Sequence, residues 1–175
     1  MIEEKVKAAI RDIKDFPKKG IVFKDITPIL SDPALTTEIT DALAENYAKL
    51  NIDAVMGIES RGFLWGILLA QKLNVPFIPV RKKGKLPYKT VSHKYDLEYG
   101  SAEIEVHEDA IEAGSSILIH DDLLATGGTA AAAANIVKKQ NAEIAAFSFL
   151  VVLDFLKGEK KLLKFSDRIE GIVHY

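Results

Sequence analysis

No cysteine occurs among the 175 residues, so neither a disulfide nor a thiolate metal site is available. No apolar run is long enough to cross a bilayer, and Met1-Ile-Glu-Glu-Lys5 lacks the apolar centre of a secretion leader. A cytoplasmic protein with no membrane partner is therefore expected. Excess positive charge is missing too: 23 basic residues face 25 acidic ones, which argues against general nucleic-acid binding. The four histidines have no carboxylate spacing suited to a protein-held zinc ion. Internal repeats and inter-domain linkers are absent, and the only biased tract is a short alanine run. What remains is a chain with 48% hydrophobic and 27% charged residues, the composition and length of one globular domain with a full core.

Hydrophobic spacing divides the chain. Ile2, Val6, Ala9, Ile10 and Ile13 recur at helical intervals, predicting a helix over 2–15 that Phe16-Pro17 ends. Residues 21–26 read as extended. Asp32-Pro33 supplies a capping acid and a first-turn proline for a helix reaching about Leu50. Then follow a strand over 53–58, a loop over 59–62, a helix over 63–73 and a strand over 75–80. Residues 81–95 are basic and without period. A hairpin over 96–106 turns near Gly100, and a helix is expected over 130–138, a strand over 143–153, a helix over 156–163 and a strand over 169–173. Apolar strands alternating with helices imply an α/β fold with a mainly parallel twisted sheet covered on both faces. Ligands in such sheets bind beyond the carboxyl ends of the strands, where loops 59–62, 81–95 and 121–129 gather.

The most informative stretch is Ser116-Ile-Leu-Ile-His-Asp-Asp-Leu-Leu-Ala-Thr-Gly-Gly-Thr129. An apolar strand ends in two acids, then a small glycine-containing turn leads into a helix. Helix N-termini favour anions, and glycine allows close backbone approach. The acids suit hydroxyl groups or a magnesium shell, so the stretch points to a phosphorylated sugar. Taken singly, other segments have plainer readings: a capped loop at Glu59-Ser60-Arg61-Gly62, a solvated basic loop at Arg81-Lys-Lys-Gly-Lys85, a packed ring at Phe23 and a solvent-facing glutamate at Glu98. His120 reads as a hydrogen-bonded structural residue, and His93 takes no role.

The stretch resembles the phosphoribosyl pyrophosphate (PRPP) motif of type I phosphoribosyltransferases. Four further blocks, Asp15 to Pro28, Gly57 to Leu64, Arg81 to Pro87 and Tyr95 to Gly100, are similar to the adenine phosphoribosyltransferases. The resemblance covers roughly residues 15–130 in order. It implies a homodimeric, magnesium-dependent purine-salvage enzyme making AMP and pyrophosphate from adenine and PRPP, with a single domain over 1–175, a base-binding hood over about 1–35 and a lid loop with hairpin over about 81–106. By the same resemblance Ala125, Thr126, Gly127, Gly128 and Thr129 hold the 5′-phosphate, and Asp121 and Asp122 the ribose. Glu59, Ser60, Arg61, Arg81, Lys82 and Lys85 take pyrophosphate, with a cis peptide expected at Glu59-Ser60. Val22 and Lys24 read the adenine edge through their backbone while Phe23 covers a face. Glu98 is the acid/base, Arg61 joins it in catalysis, Tyr99 closes the site, and Mg²⁺ arrives on PRPP and water with no direct protein ligand. Lys24 stands where the family commonly has arginine, and His120 where it has an apolar residue. The alternatives are a hypoxanthine/guanine phosphoribosyltransferase, disfavoured by the N-terminal block, and a PRPP-sensing regulatory module, which could dispense with Glu98 or the pyrophosphate loop that this chain keeps.

Overall fold

The computed structural model describes residues 1–97 and 100–175; the expectations placed on Glu98 and Tyr99 lie outside the described residues. Strands β3 (Ala54–Ile58), β4 (Phe77–Lys82), β7 (Ser116–Leu124), β8 (Glu143–Val152) and β9 (Ile169–His174) pair in parallel, and β5 (Thr90–Asp96) and β6 (Ser101–His107) extend the sheet antiparallel beyond β4. The order is β5-β6-β4-β3-β7-β8-β9. A separate two-stranded sheet pairs β1 (Arg11–Lys14) with β2 (Val22–Asp25). The mixed α/β sheet agrees with the expected fold class.

The central strands have no polar face. Every residue of β3 is buried, and β8 is buried through its last seven positions. Strands of this kind need cover on both sides. One face receives α1 (Ile2–Ala9), α2 (Pro33–Tyr47) and α3 (Gly62–Leu73), with Ile39, Leu43, Trp65 and Leu69 fully inside. The other receives α4 (Gly128–Lys139), whose alanines let the helix lie close to Ile117, Ile119, Phe147 and Phe149. Helix α2 starts as expected: Asp32 Oδ1 accepts from the Leu35 N–H at 3.0 Å, and Pro33 occupies the first turn.

Several boundaries differ from expectation. The first helix stops at Ala9 and Ile10 is extended, so Phe16-Pro17, a cis peptide, does not end it. Residues 11–14 form β1 because its cross-strand partners supply both backbone pairing and charge: Lys24 Nζ lies 2.8 Å from Asp12, and Arg11 lies 3.8 Å from Asp25. Strand β4 runs over Phe77–Lys82, later than the expected 75–80. The hairpin does turn at Gly100, where φ is +83° and Leu97 N–H reaches Gly100 C=O at 2.9 Å. Its first strand, however, is Thr90–Asp96, inside the stretch read as irregular; Tyr95 and His93 hydrogen-bond Thr129 and Asn135 of α4. Strand β7 continues through Asp121 and Asp122 to Leu124, so the acids belong to the strand and not to a loop. The helix expected over 156–163 is two short turns, Asp154–Leu156 and α5 (Glu159–Leu162), separated at Lys157, whose φ is +53°. Among the described residues, no helix is long and apolar enough to cross a membrane.

His120 lies wholly inside, with Nδ1 3.0 Å from Ser148 Oγ on β8. Burial pulls its imidazole down to about 3 from 6.5. The folded ring stays neutral where the unfolded chain takes a proton, so stability is lost as pH falls below the unfolded value. The slope is about 1.4 kcal/mol per pH unit, or about 2 kcal/mol between pH 6.5 and 5. Urea unfolding of the parent and His120→Asn at pH 7 and pH 5 should show that extra loss in the parent alone; equal losses would mean that the folded imidazole is charged.

Candidate active site

The parallel strands end together along one edge, and three of them deliver the predicted groups there. Leaving β3, the chain passes through Glu59-Ser60, a non-proline cis peptide as expected, and enters α3 at Gly62. Gly62 is required by close packing: a Cβ there would stand 2.8 Å from Asp121 Oδ1 and 3.1 Å from Asp121 Cα. Strand β4 ends in Arg81 and Lys82, and β7 carries Asp121 and Asp122. Between them is a cleft of about 580 Å³ whose wall includes Glu59, Ser60, Arg61, Lys82, Asp121, Asp122 and Thr129.

Two ion pairs organise the cleft. Arg61 Nε lies 3.0 Å from Asp122 Oδ2. Glu59 Oε2 accepts from Arg81 Nε at 2.9 Å and from the Lys82 N–H at 2.7 Å. Burial would raise the Glu59 carboxyl, but the Lys82 and Arg81 hydrogen bonds outweigh it and hold it below the usual range. The acid pair behaves oppositely. Burial, then the neighbouring Asp122 charge, push Asp121 well above the ordinary carboxylate value. Burial likewise raises Asp122, with Arg61 opposing the shift. The pair thus resists carrying two full negative charges, which suits it to hydroxyl-bearing partners.

A second hollow of about 80 Å³ adjoins the first, sharing Asp121, Leu123 and Thr129 with it. Residues Ala125 to Thr129 wrap around it, Gly127 having φ +75° and Gly128 beginning α4. The free N–H groups of this helix start make an anion seat. Its outer side is closed by the 157–159 segment: a Cβ on Gly127 would lie 2.5 Å from Gly158 C=O.

On the other side of Arg61, its guanidinium carbon lies 5.2 Å from the centre of the Phe23 ring, which also meets Phe16 edge-on at 5.2 Å. This contact joins the β1–β2 sheet to the cleft. Val22 is exposed. The Lys24 side chain turns to Asp12 and lies 3.7 Å over the Tyr175 ring, so its charge serves the fold of this sheet. Arg81 is tied to Glu59, and Lys85 does not contribute to the cleft wall. Sequence reasoning missed Lys83, Glu103 and Tyr95, which do line it. Tyr95 Oη lies 3.1 Å from Thr129 Oγ1. Lys83 carried a signal as a member of the basic run, and Tyr95 as the first residue of the Tyr95 to Gly100 block.

Residues 25–172 match the phosphoribosyl transferase domain. An adenine phosphoribosyltransferase of Cytophaga hutchinsonii is 49% identical over 175 residues, covering 100% of this chain and 97% of that protein. The one from Ureaplasma parvum is 50% identical over 170 residues, covering 97% and 96%. Among solved structures, the adenine phosphoribosyltransferase of Thermoanaerobacter pseudethanolicus superposes with a TM-score of 0.95 at 44% identity, covering 100% of both chains. The Saccharomyces cerevisiae enzyme, complexed with adenine and an imino-altritol bisphosphate, does so at 0.91 and 41% identity, covering 98% of each. By sequence along its whole length and by fold, this chain belongs to the adenine phosphoribosyltransferase family.

Proposed function

We propose that the chain converts adenine and PRPP to AMP and pyrophosphate. The observation that carries this reading is continuity. The anion seat at the start of α4, the acid pair on β7 and the basic loops after β3 and β4 line two adjoining hollows, in the order 5′-phosphate, ribose and diphosphate. The Phe23 ring stands past Arg61, where a planar base would meet the ribose.

Ala125, Thr126, Gly127, Gly128 and Thr129 hold the 5′-phosphate through main-chain N–H groups. Asp121 and Asp122 accept from the ribose hydroxyls. Ser60, Arg61 and Lys82 take the diphosphate, and Glu59 serves by holding Arg81 and the Lys82 backbone in place. Lys85 joins through its long flexible side chain, since its backbone N–H is held by Glu105. Val22 and Lys24 read the purine edge with backbone groups, and Phe23 stacks on its face; Glu98 manages the proton, and Tyr99 closes the site. As the bond from C1′ to the diphosphate oxygen breaks, positive charge develops on the ribose, as in glycoside chemistry, and negative charge on the departing pyrophosphate. Arg61 and Lys82 stabilise the latter. Adenine N9 bonds to C1′, and the imidazole proton of the base passes to the Glu98 carboxylate.

Magnesium fits this donor set as an ion carried by substrate. Asp122 is already paired with Arg61 and Glu59 with Arg81. Among the described residues, the one grouping with metal-capable geometry, Asp154, Glu159 and His174, is not on the cleft wall. Brought in by the diphosphate and not by a protein ligand, Mg²⁺ would supply charge neutralisation at the leaving group. The protein acts in the cytoplasm as a homodimer, without nucleic acid. Leu30, 42% exposed, lines a groove between α2 and α3 together with Pro33 and Leu68, and this supports pairing through that face.

Two measurements test the reading. Pyrophosphate release from PRPP and Mg²⁺ should occur with adenine and be at least about a hundredfold slower with hypoxanthine or guanine, since an unpaired polar edge costs several kcal/mol. No release with adenine from folded protein overturns the assignment. Phe23→Ala should raise KM for adenine about tenfold, the usual scale of aromatic–base stacking, with KM for PRPP little changed; unaltered adenine kinetics would remove the ring from the base site.

A further inference from the structure

Resting on that reading, we propose that Glu105, which touches no substrate group, is a positioning residue for the pyrophosphate subsite, holding the lysine-bearing turn 82–86 against the cleft. Glu105 is on β6, only 2% exposed, and opposite Arg81 in the last stretch of β4–β6 pairing. Past Lys82 the chain leaves the sheet, and the carboxylate takes over where the strand ladder stops. Its Oε1 accepts from three successive backbone donors, Gly84 N–H at 2.9 Å and Lys85 and Leu86 N–H at 3.2 Å each. Its Oε2 accepts from Thr90 Oγ1 at 3.0 Å and lies 3.3 Å from Lys83 Nζ. Together these donors occupy the lone-pair sites of an ionised carboxylate.

A buried carboxylate with such partners is charged and immobile. Burial would raise its carboxyl, but hydrogen bonds from Leu86, Thr90, Lys83 and Gly84 outweigh that and hold it below the usual range. Three lysines, Lys82, Lys83 and Lys85, repel one another over four positions. A neutral anchor would leave that repulsion in place, whereas the Glu105 charge offsets it and fixes the backbone from which the ammonium groups project. Glu59 secures the start of the same segment through the Lys82 N–H. The basic segment is therefore pinned at both ends by carboxylates that are not themselves directed at an anion.

The full-length Glu105→Gln protein tests this. It keeps the side-chain shape and one acceptor but loses the charge and places an NH₂ group among donors. KM for PRPP and the dissociation constant for magnesium pyrophosphate should each rise about tenfold, the scale of a lost charged hydrogen bond. KM for adenine should stay within about twofold. Amide exchange at Gly84, Lys85 and Leu86, followed residue by residue, should quicken while exchange in β3 and β7 does not. Unchanged PRPP kinetics and unchanged exchange would overturn the assignment of Glu105 alone. Equal losses for both substrates with a collapsed melting transition would also overturn it, marking a general structural role. An inactive parent protein would overturn the PRPP reading and this subsite with it.

Discussion

Taking carboxylates out of water is the constraint around which this cleft is built. Glu105 and Asp122, buried, and Glu59 and Asp121, partly buried, crowd the carboxyl edge of one sheet, and each needs compensation that an apolar surrounding cannot give. The solutions differ. Glu59 takes a guanidinium and a backbone N–H, Glu105 takes backbone N–H groups, a hydroxyl and an ammonium, and Asp122 takes Arg61. Asp121 accepts from the Asp122 N–H and remains under-compensated, which is why burial raises it so far. Three of the carboxylates thus pin loops, and Asp121, with the lone pairs of Asp122 that Arg61 leaves open, keeps capacity for a ligand.

Those ion pairs also decide which loops stay together. Arg61 bridges the loop after β3 to β7 through Asp122, and touches Phe23 on the separate β1–β2 sheet. Arg81 bridges β4 to the same loop through Glu59. Tyr95 bridges the hairpin to the start of α4. Each link joins elements distant in sequence, and each uses a polar contact at a place where the parallel sheet has run out of backbone partners. Strand ends in open α/β sheets leave such groups facing a crevice, and here the crevice is roofed from three directions.

Features carried by contiguous residues were legible in the sequence. The strand, acid pair and Thr-Gly-Gly-Thr turn lie within one stretch, so local pattern alone indicated an anion seat and a parallel sheet. Asp32-Pro33 announced α2 by its own chemistry. Features set by register were not legible. Glu105 sits in Ala102-Glu-Ile-Glu-Val106, an alternation that reads as solvent-facing charge, and only pairing opposite Arg81 turns it inward. Tyr95 stood out as the start of the Tyr95 to Gly100 block, but its place on a strand facing α4 did not, because β5 alternates polar with weakly apolar residues. Ile10 and Ile13, three positions apart, share a face in a helix and not in a strand, so local spacing favoured the helix and only the long-range pairing of residues 11–14 with β2 overrides it. His120 was legible as structural, although its partner Ser148 was not.

The division of labour between rigid and attached parts follows from the same chemistry. A sugar bearing a phosphate and a diphosphate presents several charges, and fixed dipoles and cations serve it best when they need no rearrangement on binding. Such rigidity is available at the ends of fully buried strands, where β3, β4 and β7 are locked by register. A neutral planar base asks for less: a ring to cover one face and backbone groups along an edge. A small two-stranded sheet suffices for that, secured by cross-strand ion pairs and by Lys24 over the Tyr175 ring. Because the Lys24 side chain is spent on this attachment, the proposed base site has main-chain groups of β2 to offer along its edge. A change of side chain at Lys24 would leave unaltered what the main chain of β2 presents along its edge.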